Sequence, residues 1–151
     1  MDYLAFNRLT VDLKPFDLDE VTLPGGGINT PYRQLVCEAN FPCRNLQHQS
    51  KMFVFVPLER ISESILEIFD DMHLRPVSPG EFMSVCKTIT EKNDDRFTKK
   101  VIIAANTFGE HLEQQRTLAF SDKQVQLFYT HTPERNPRVW PNNYVVIGTP
   151  K

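Results

Sequence analysis

Residues 57–91 read PLERISESILEIFDDMHLRPVSPGEFMSVCKTITE, a run in which apolar residues recur at helical spacing in two successive segments. The first segment predicts a helix over about residues 58–72. Its apolar face holds Ile61, Ile65, Ile68, Phe69 and Met72. A second face of the same helix is acidic and carries Glu59, Glu63, Glu67 and Asp71. Pro57 suits the first turn, where the missing N–H has no helical partner to lose.

The second segment predicts a helix over about residues 79–91, with stronger start signals than the first. Ser78 and Glu81 have the spacing of a capping box, in which each side chain accepts from the other residue's backbone N–H. Pro79 occupies the first helical position, which proline favours. The predicted buried face consists of Phe82, Val85, Cys86 and Ile89.

Short segments with strand character lie on both sides of the helix pair. They cover residues 3–13, 31–39, 51–56, 100–105, 116–120, 124–130 and 144–147. Strands, then helices, then strands again predict an α+β fold. We expect one domain over residues 1–151, with a mostly antiparallel sheet of about six or seven strands. We also expect the two helices to pack on one face of that sheet.

Charge and hydropathy exclude several classes of protein. The net charge of −2 argues against a general nucleic-acid binder, which needs a positive field over its surface. The chain contains no apolar run of about 18 residues, so we expect no membrane span. The first residues lack the basic and apolar regions of a signal peptide. Three cysteines without framework spacing favour free thiols, and together these features predict a soluble cytoplasmic protein.

Sequence motifs for cofactors and metals are also missing. The run Pro24–Gly27 resembles a phosphate-binding loop only in its glycines, because Ile28 and Asn29 follow instead of a lysine and a hydroxyl residue. The cysteines and histidines do not form the closely spaced pairs of a zinc site. We therefore expect neither a cofactor nor a metal.

The proline-rich loop of residues 130–143 is the predicted partner-binding segment. It holds Arg135, Arg138 and Trp140, and arginine and tryptophan dominate the energetics of protein interfaces. The acidic helix face, with Glu63 and Glu67, is a second predicted contact for a basic partner. The sequence thus favours a small non-enzymatic binding, accessory or inhibitor protein that acts through protein–protein contacts.

Two alternatives stay open. The first is a small enzyme with a cleft near His111, His131 or the cysteines, since histidine and thiol side chains supply acid–base and nucleophilic chemistry. The second is a nucleic-acid-binding module built on the two helices. Only Lys87 and Lys92 would supply cations from the second helix, fewer than a recognition helix normally carries.

Overall fold

A computed structural model describes residues 3–20, 27–28, 36–60, 65–104, 116–129 and 142–151. The strands within these ranges are β1 (Asn7–Leu13), β2 (Gly27–Ile28), β3 (Gln49–Pro57), β4 (Leu74–Pro76), β5 (Val101–Ala104), β6 (Arg116–Ser121), β7 (Gln124–Tyr129) and β8 (Tyr144–Pro150). The helices are α1 (Ile65–Asp71), α2 (Pro79–Lys92) and α3 (Asp95–Thr98). Short 3-10 turns cover Tyr3–Ala5, Leu18–Glu20 and Leu58–Arg60.

These strands form one sheet in the order β1-β3-β8-β5-β6-β7-β2, and β4 also pairs with β8. The pairings β5–β8 and β2–β7 are parallel, and the others are antiparallel. The predicted α+β fold with a mostly antiparallel sheet is therefore confirmed. Gly148 pairs with Val54 of β3 and with Pro76 of β4, so β4 and β5 share the same edge of β8.

The sheet buries apolar side chains on both of its faces. Alternating residues point to opposite sides of a strand, so Val145 and Ile147 join one core while Val146 joins the other. The first core contains the apolar residues of α2, such as Phe82 and Cys86. The second core contains Phe69 of α1, and Ile65 and Ile68 pack against it. Our expectation that both helices pack on one face is therefore wrong, because each helix covers a different face.

Helix α2 begins as its sequence predicts. The Ser78 hydroxyl accepts from the backbone N–H of Glu81, and the Glu81 carboxylate accepts from the N–H of Ser78. The helix ends at Asn93, which adopts a left-handed conformation with φ of 48°. Asparagine tolerates this conformation better than most residues, so both ends of α2 follow from local chemistry.

The first predicted helix differs from the structure at its start. Leu58–Arg60 forms a 3-10 turn instead of α-helix, and α1 covers Ile65–Asp71. Residues 61–64, with Ile61 and Glu63, lie outside the described residues. The following strand β4 was not predicted, because it has only three residues and includes Pro76.

Residues 36–46 cover the first core beside α2. A strand was expected over residues 31–39, but residues 36–39 form a bend and turn, so that prediction is wrong there. The carboxylate of Glu38 organises this turn. It accepts backbone N–H groups from Leu18 at 3.2 Å, Cys43 at 2.8 Å and Arg44 at 2.7 Å. One buried side chain thus satisfies three backbone N–H groups that have no strand partner.

The predicted strand segments over residues 116–120 and 124–130 form an antiparallel hairpin of β6 and β7. Asp122 and Lys123 form its two-residue turn, with φ of 52° and 62°. Positive φ at both positions is typical of the turn whose twist matches two antiparallel strands.

None of the helices in the described ranges has the length and apolar character needed to cross a membrane.

Gly148 lies on β8 directly beneath the ring of Phe69 from α1. A Cβ atom at this position would lie 2.8 Å from Cζ of Phe69, whose ring is fully buried. Such a distance is too short for carbon atoms, so the Phe69 ring or the strand would have to move. The absence of a side chain at residue 148 therefore allows α1 to pack on the sheet.

We expect Gly148→Ala to lower the free energy of unfolding by about 1–3 kcal/mol through overpacking. Urea denaturation followed by circular dichroism measures this change. Gly80→Ala is the matched control, because its new Cβ would meet Leu46 at an ordinary 3.4 Å. The control lies in α2 and should be neutral or stabilising by up to about 1 kcal/mol. Equal effects of the two substitutions would contradict the steric explanation.

Candidate functional site

Most residues of the predicted partner surface fall outside the described part of the chain. Arg135, Arg138, Trp140 and Glu63 lie there, as do His111 and His131 of the alternative enzymatic cleft. Glu67 is the one predicted contact residue that is described, and its side chain is exposed on α1. These predictions stay predictions, and the geometry below concerns other residues.

Two of the three cysteines, Cys43 and Cys86, lack the environment of a catalytic nucleophile. Cys43 is buried and its thiol donates to the carbonyl of Phe41 at 3.2 Å. Burial and the negative charges of Glu38 and Asp17 raise the pKa of Cys43 to about 12. Burial also raises the pKa of Cys86 far above its ordinary value. Both thiols are neutral at physiological pH, and the thiolate is the reactive form.

We expect Cys43 and Cys86 to resist alkylation in the folded protein. A brief exposure to iodoacetamide at pH 8, followed by peptide mass spectrometry, measures the modified fraction at each position. Both should be modified only after urea is added, since unfolding removes the burial that raises their pKa. Rapid modification of Cys43 in the folded state would contradict its assignment as a packing residue.

Histidine, cysteine and carboxylate side chains do not gather into a metal site within the described ranges.

The most strongly perturbed carboxylate of the described residues is Glu81, at the start of α2. It accepts from both terminal nitrogens of Arg75 at 3.0 and 2.9 Å, and from Nζ of Lys51 at 3.0 Å. Burial alone would raise its pKa, but the hydrogen bonds from Arg75, the Ser78 N–H and Lys51 outweigh this and lower the pKa to about 2. The group joins α2 to β3 and β4, which is a structural role.

The Glu81 carboxylate should make stability depend on pH in a defined window. Its pKa falls from 4.5 in the unfolded chain to about 2 in the folded one. The stabilisation is therefore complete above about pH 5 and is lost as the pH falls toward 2, by about 3 kcal/mol. Urea unfolding between pH 2 and pH 6 measures this loss.

Glu81→Gln should cost about 3–5 kcal/mol at pH 6, because it leaves two cations without their partner, and its stability should vary less with pH. Glu67→Gln, at an exposed position, should change the stability by less than about 0.5 kcal/mol. Parallel pH profiles for the wild type and Glu81→Gln would contradict this assignment.

The outer edge of β1 forms the second distinctive feature. Among the described residues β1 pairs only with β3, and it does so over all seven of its residues. Arg96 donates to the carbonyl of Arg8 at 3.4 Å, which indicates that this carbonyl faces away from β3. Backbone groups of an antiparallel strand face alternately toward and away from the partner strand, so those of Thr10 and Asp12 also face outward.

A groove runs along this edge between β1 and α2, with a volume of about 480 Å³. Its wall on the helix contains Ser84, Lys87, Thr88 and Glu91, which share one helical stripe. The hydroxyls of Ser84 and Thr88 donate to helix carbonyls at 2.8 and 2.9 Å. These two short side chains fold back on the helix, which leaves space between α2 and the strand.

A second depression of about 360 Å³ lies on the opposite side of the same edge. Phe6, Arg8, Thr10, Met52 and Arg96 contribute to its lining. Thr10 lines both depressions, so the strand edge separates them. An additional strand along β1 would direct its alternating side chains into one depression and then the other. We call this site the β1 edge, comprising residues 8–14 and the two depressions.

Sequence reasoning did not identify the β1 edge. The segment itself was predicted as a strand, but its position at the end of the sheet depends on long-range pairing.

Comparison of the chain with protein-family models, with curated proteins and with solved structures finds no match in any of the three.

Proposed function

We propose that this chain is a non-enzymatic binding domain that captures an extended segment of a partner protein along the β1 edge. The observation that carries the proposal is the combination of outward-facing backbone groups with a depression on each side. Added strands bind through main-chain hydrogen bonds, and pockets for alternate side chains provide specificity. The two depressions, one toward each end of β1, would supply such pockets.

The chemistry of the described residues supports binding over catalysis. Cys43 and Cys86 are neutral packing residues, and the perturbed carboxylate of Glu81 is occupied by two cations. An enzymatic cleft near His111 or His131 remains an alternative proposal.

A cytoplasmic location is part of the same proposal. All three cysteines are free thiols, which is usual in a reducing compartment.

The loop of residues 130–143 is the competing interface within this proposed function. Arg135, Arg138 and Trp140 supply the side chains that are typical of interface hot spots. Glu63 and Glu67 would add a contact for a basic partner. The loop and the β1 edge make different demands on the partner, because only the edge requires an extended segment that can pair as a strand.

A peptide-display selection tests the role of the edge. Linear peptides enriched on the wild-type domain should lose binding to Thr10→Pro, which removes an outward N–H from the edge. Thr10→Val is the matched control, because it keeps both the N–H and the strand propensity. Proline on an outer edge leaves the pairing with β3 in place, and circular dichroism checks that the variant is folded.

The same selection distinguishes the two surfaces. If the loop is the interface, substitution of Arg135, Arg138 and Trp140 by alanine abolishes binding while Thr10→Pro does not. If the β1 edge is the interface, the reverse holds. Equal binding of the enriched peptides to the wild type and Thr10→Pro contradicts the strand-addition proposal.

A further inference from the structure

The β1 edge carries an excess of positive charge although the chain as a whole has a net charge of −2. Five basic side chains line the two depressions, and two acidic ones, Asp12 and Glu91, accompany them. The basic residues are Arg8, Lys14, Lys87, Lys92 and Arg96. Asp94 pairs with Arg96 and offsets one of these charges, so the edge keeps an excess of positive charge while the whole chain is net negative.

Most of these cations are available to a ligand. Within the described residues, the basic side chains in ion pairs are those of Arg44, Lys51, Arg75, Arg96 and Lys151. Of the cations at the β1 edge, only Arg96 is in that group, through a 2.8 Å contact with Asp94. Arg8, Lys14 and Lys92 are exposed, and Lys87 is half-buried on the helix wall.

The positions of the cations match an extended ligand. Arg8 and Lys14 lie at the two ends of the edge, about 20 Å apart along an extended strand. Lys87 lies across the groove on α2. Side chains of an added strand would thus meet a cation near each end and on both sides.

We propose, on the basis of the proposed strand-addition function, that the ligand of the β1 edge is an acidic peptide segment in extended conformation. Backbone pairing along Thr10 and Asp12 fixes the segment. Its carboxylates contact Arg8, Lys14, Lys87 and Lys92, which form no salt bridge with another described residue. A peptide is favoured over a nucleic acid because the edge offers main-chain donors and acceptors in the pattern of a strand. Nucleic acid lacks that pattern.

Fluorescence polarisation with three labelled heptapeptides tests the inference. One alternates valine with glutamate, the second has glutamine in place of glutamate, and the third has lysine. The glutamate peptide should bind roughly tenfold more tightly than the glutamine peptide, as the combined effect of several exposed ion pairs. The lysine peptide should bind most weakly, and added salt should reduce the differences.

Two double variants with reversed charge test whether the preference for the glutamate peptide arises at the β1 edge. Lys14→Glu combined with Lys87→Glu should remove the preference for the glutamate peptide. Lys99→Glu combined with Lys123→Glu changes the net charge equally, at positions outside both depressions. This control should keep the preference. Loss of the preference in both double variants would show a long-range effect of net charge and would overturn the inference.

Hydrogen exchange and a competitor complete the test. Exchange at the amides of Thr10 and Asp12 should slow when the glutamate peptide is bound. A ten-nucleotide oligouridylate that displaces the peptide at equal concentration would overturn the assignment to a peptide.

Equal binding of the three heptapeptides, or binding of none, would also overturn the inference about charge. In that case, peptides from the display selection that still require the Thr10 N–H would leave the proposed function standing. If, in addition, the display-selected peptides do not require the Thr10 N–H, the proposed function is contradicted as well.

Discussion

The buried carboxylate of Glu81 is the interaction on which the arrangement of the other elements depends. It closes the capping box of α2, and it also binds Arg75 on β4 and Lys51 on β3. One side chain thus fixes where α2 begins and how it is oriented relative to two strands. A buried carboxylate with fewer partners would be strongly destabilising, so the positions of the three elements are energetically coupled.

The position of α2 in turn creates the groove at the β1 edge. The buried face of the helix packs on the first core, which brings its stripe of short and basic side chains alongside β1. Ser84 and Thr88 direct their hydroxyls to the helix backbone, so their side chains project little into the groove. An interaction at the start of the helix therefore determines the width of a surface formed further along it.

Local features of the chain were predictable, and long-range ones were not. The capping box, the buried face of α2 and the β6–β7 hairpin follow from neighbouring residues, and all three agree with the structure. The expectation of both helices on one face failed, because periodicity identifies the apolar side of a helix without indicating which side of a sheet receives it. The short strand β4 and the helix α3 carry too few residues for a periodic signal.

The candidate site illustrates the same limit. The sequence predicts a strand over residues 3–13, of which Asn7–Leu13 form β1 and Tyr3–Ala5 form a 3-10 turn. The position of β1 at the edge depends on the strand order, which pairs it with β3 alone among the described residues. The cations of that edge come from β1, the residue after it, α2 and α3, and these segments are separated in sequence. Composition gave a net negative charge and so concealed a local positive surface. The Arg75 and Lys51 partners of Glu81 were missed for a related reason, since they reach it only after β3 and β4 have paired with β8.

The last strand of the sequence, β8, lies inside the sheet between β3 on one edge and β4 with β5 on the other. During synthesis, therefore, the earlier strands leave the ribosome before the strand that joins them exists. Both cores are divided until residues 144–150 are available, because Val145 and Ile147 complete one and Val146 the other. Until that moment the nascent chain exposes two incomplete apolar surfaces, which favours aggregation. Closure of the sheet is a long-range event, and this topology links the completion of both cores to β8.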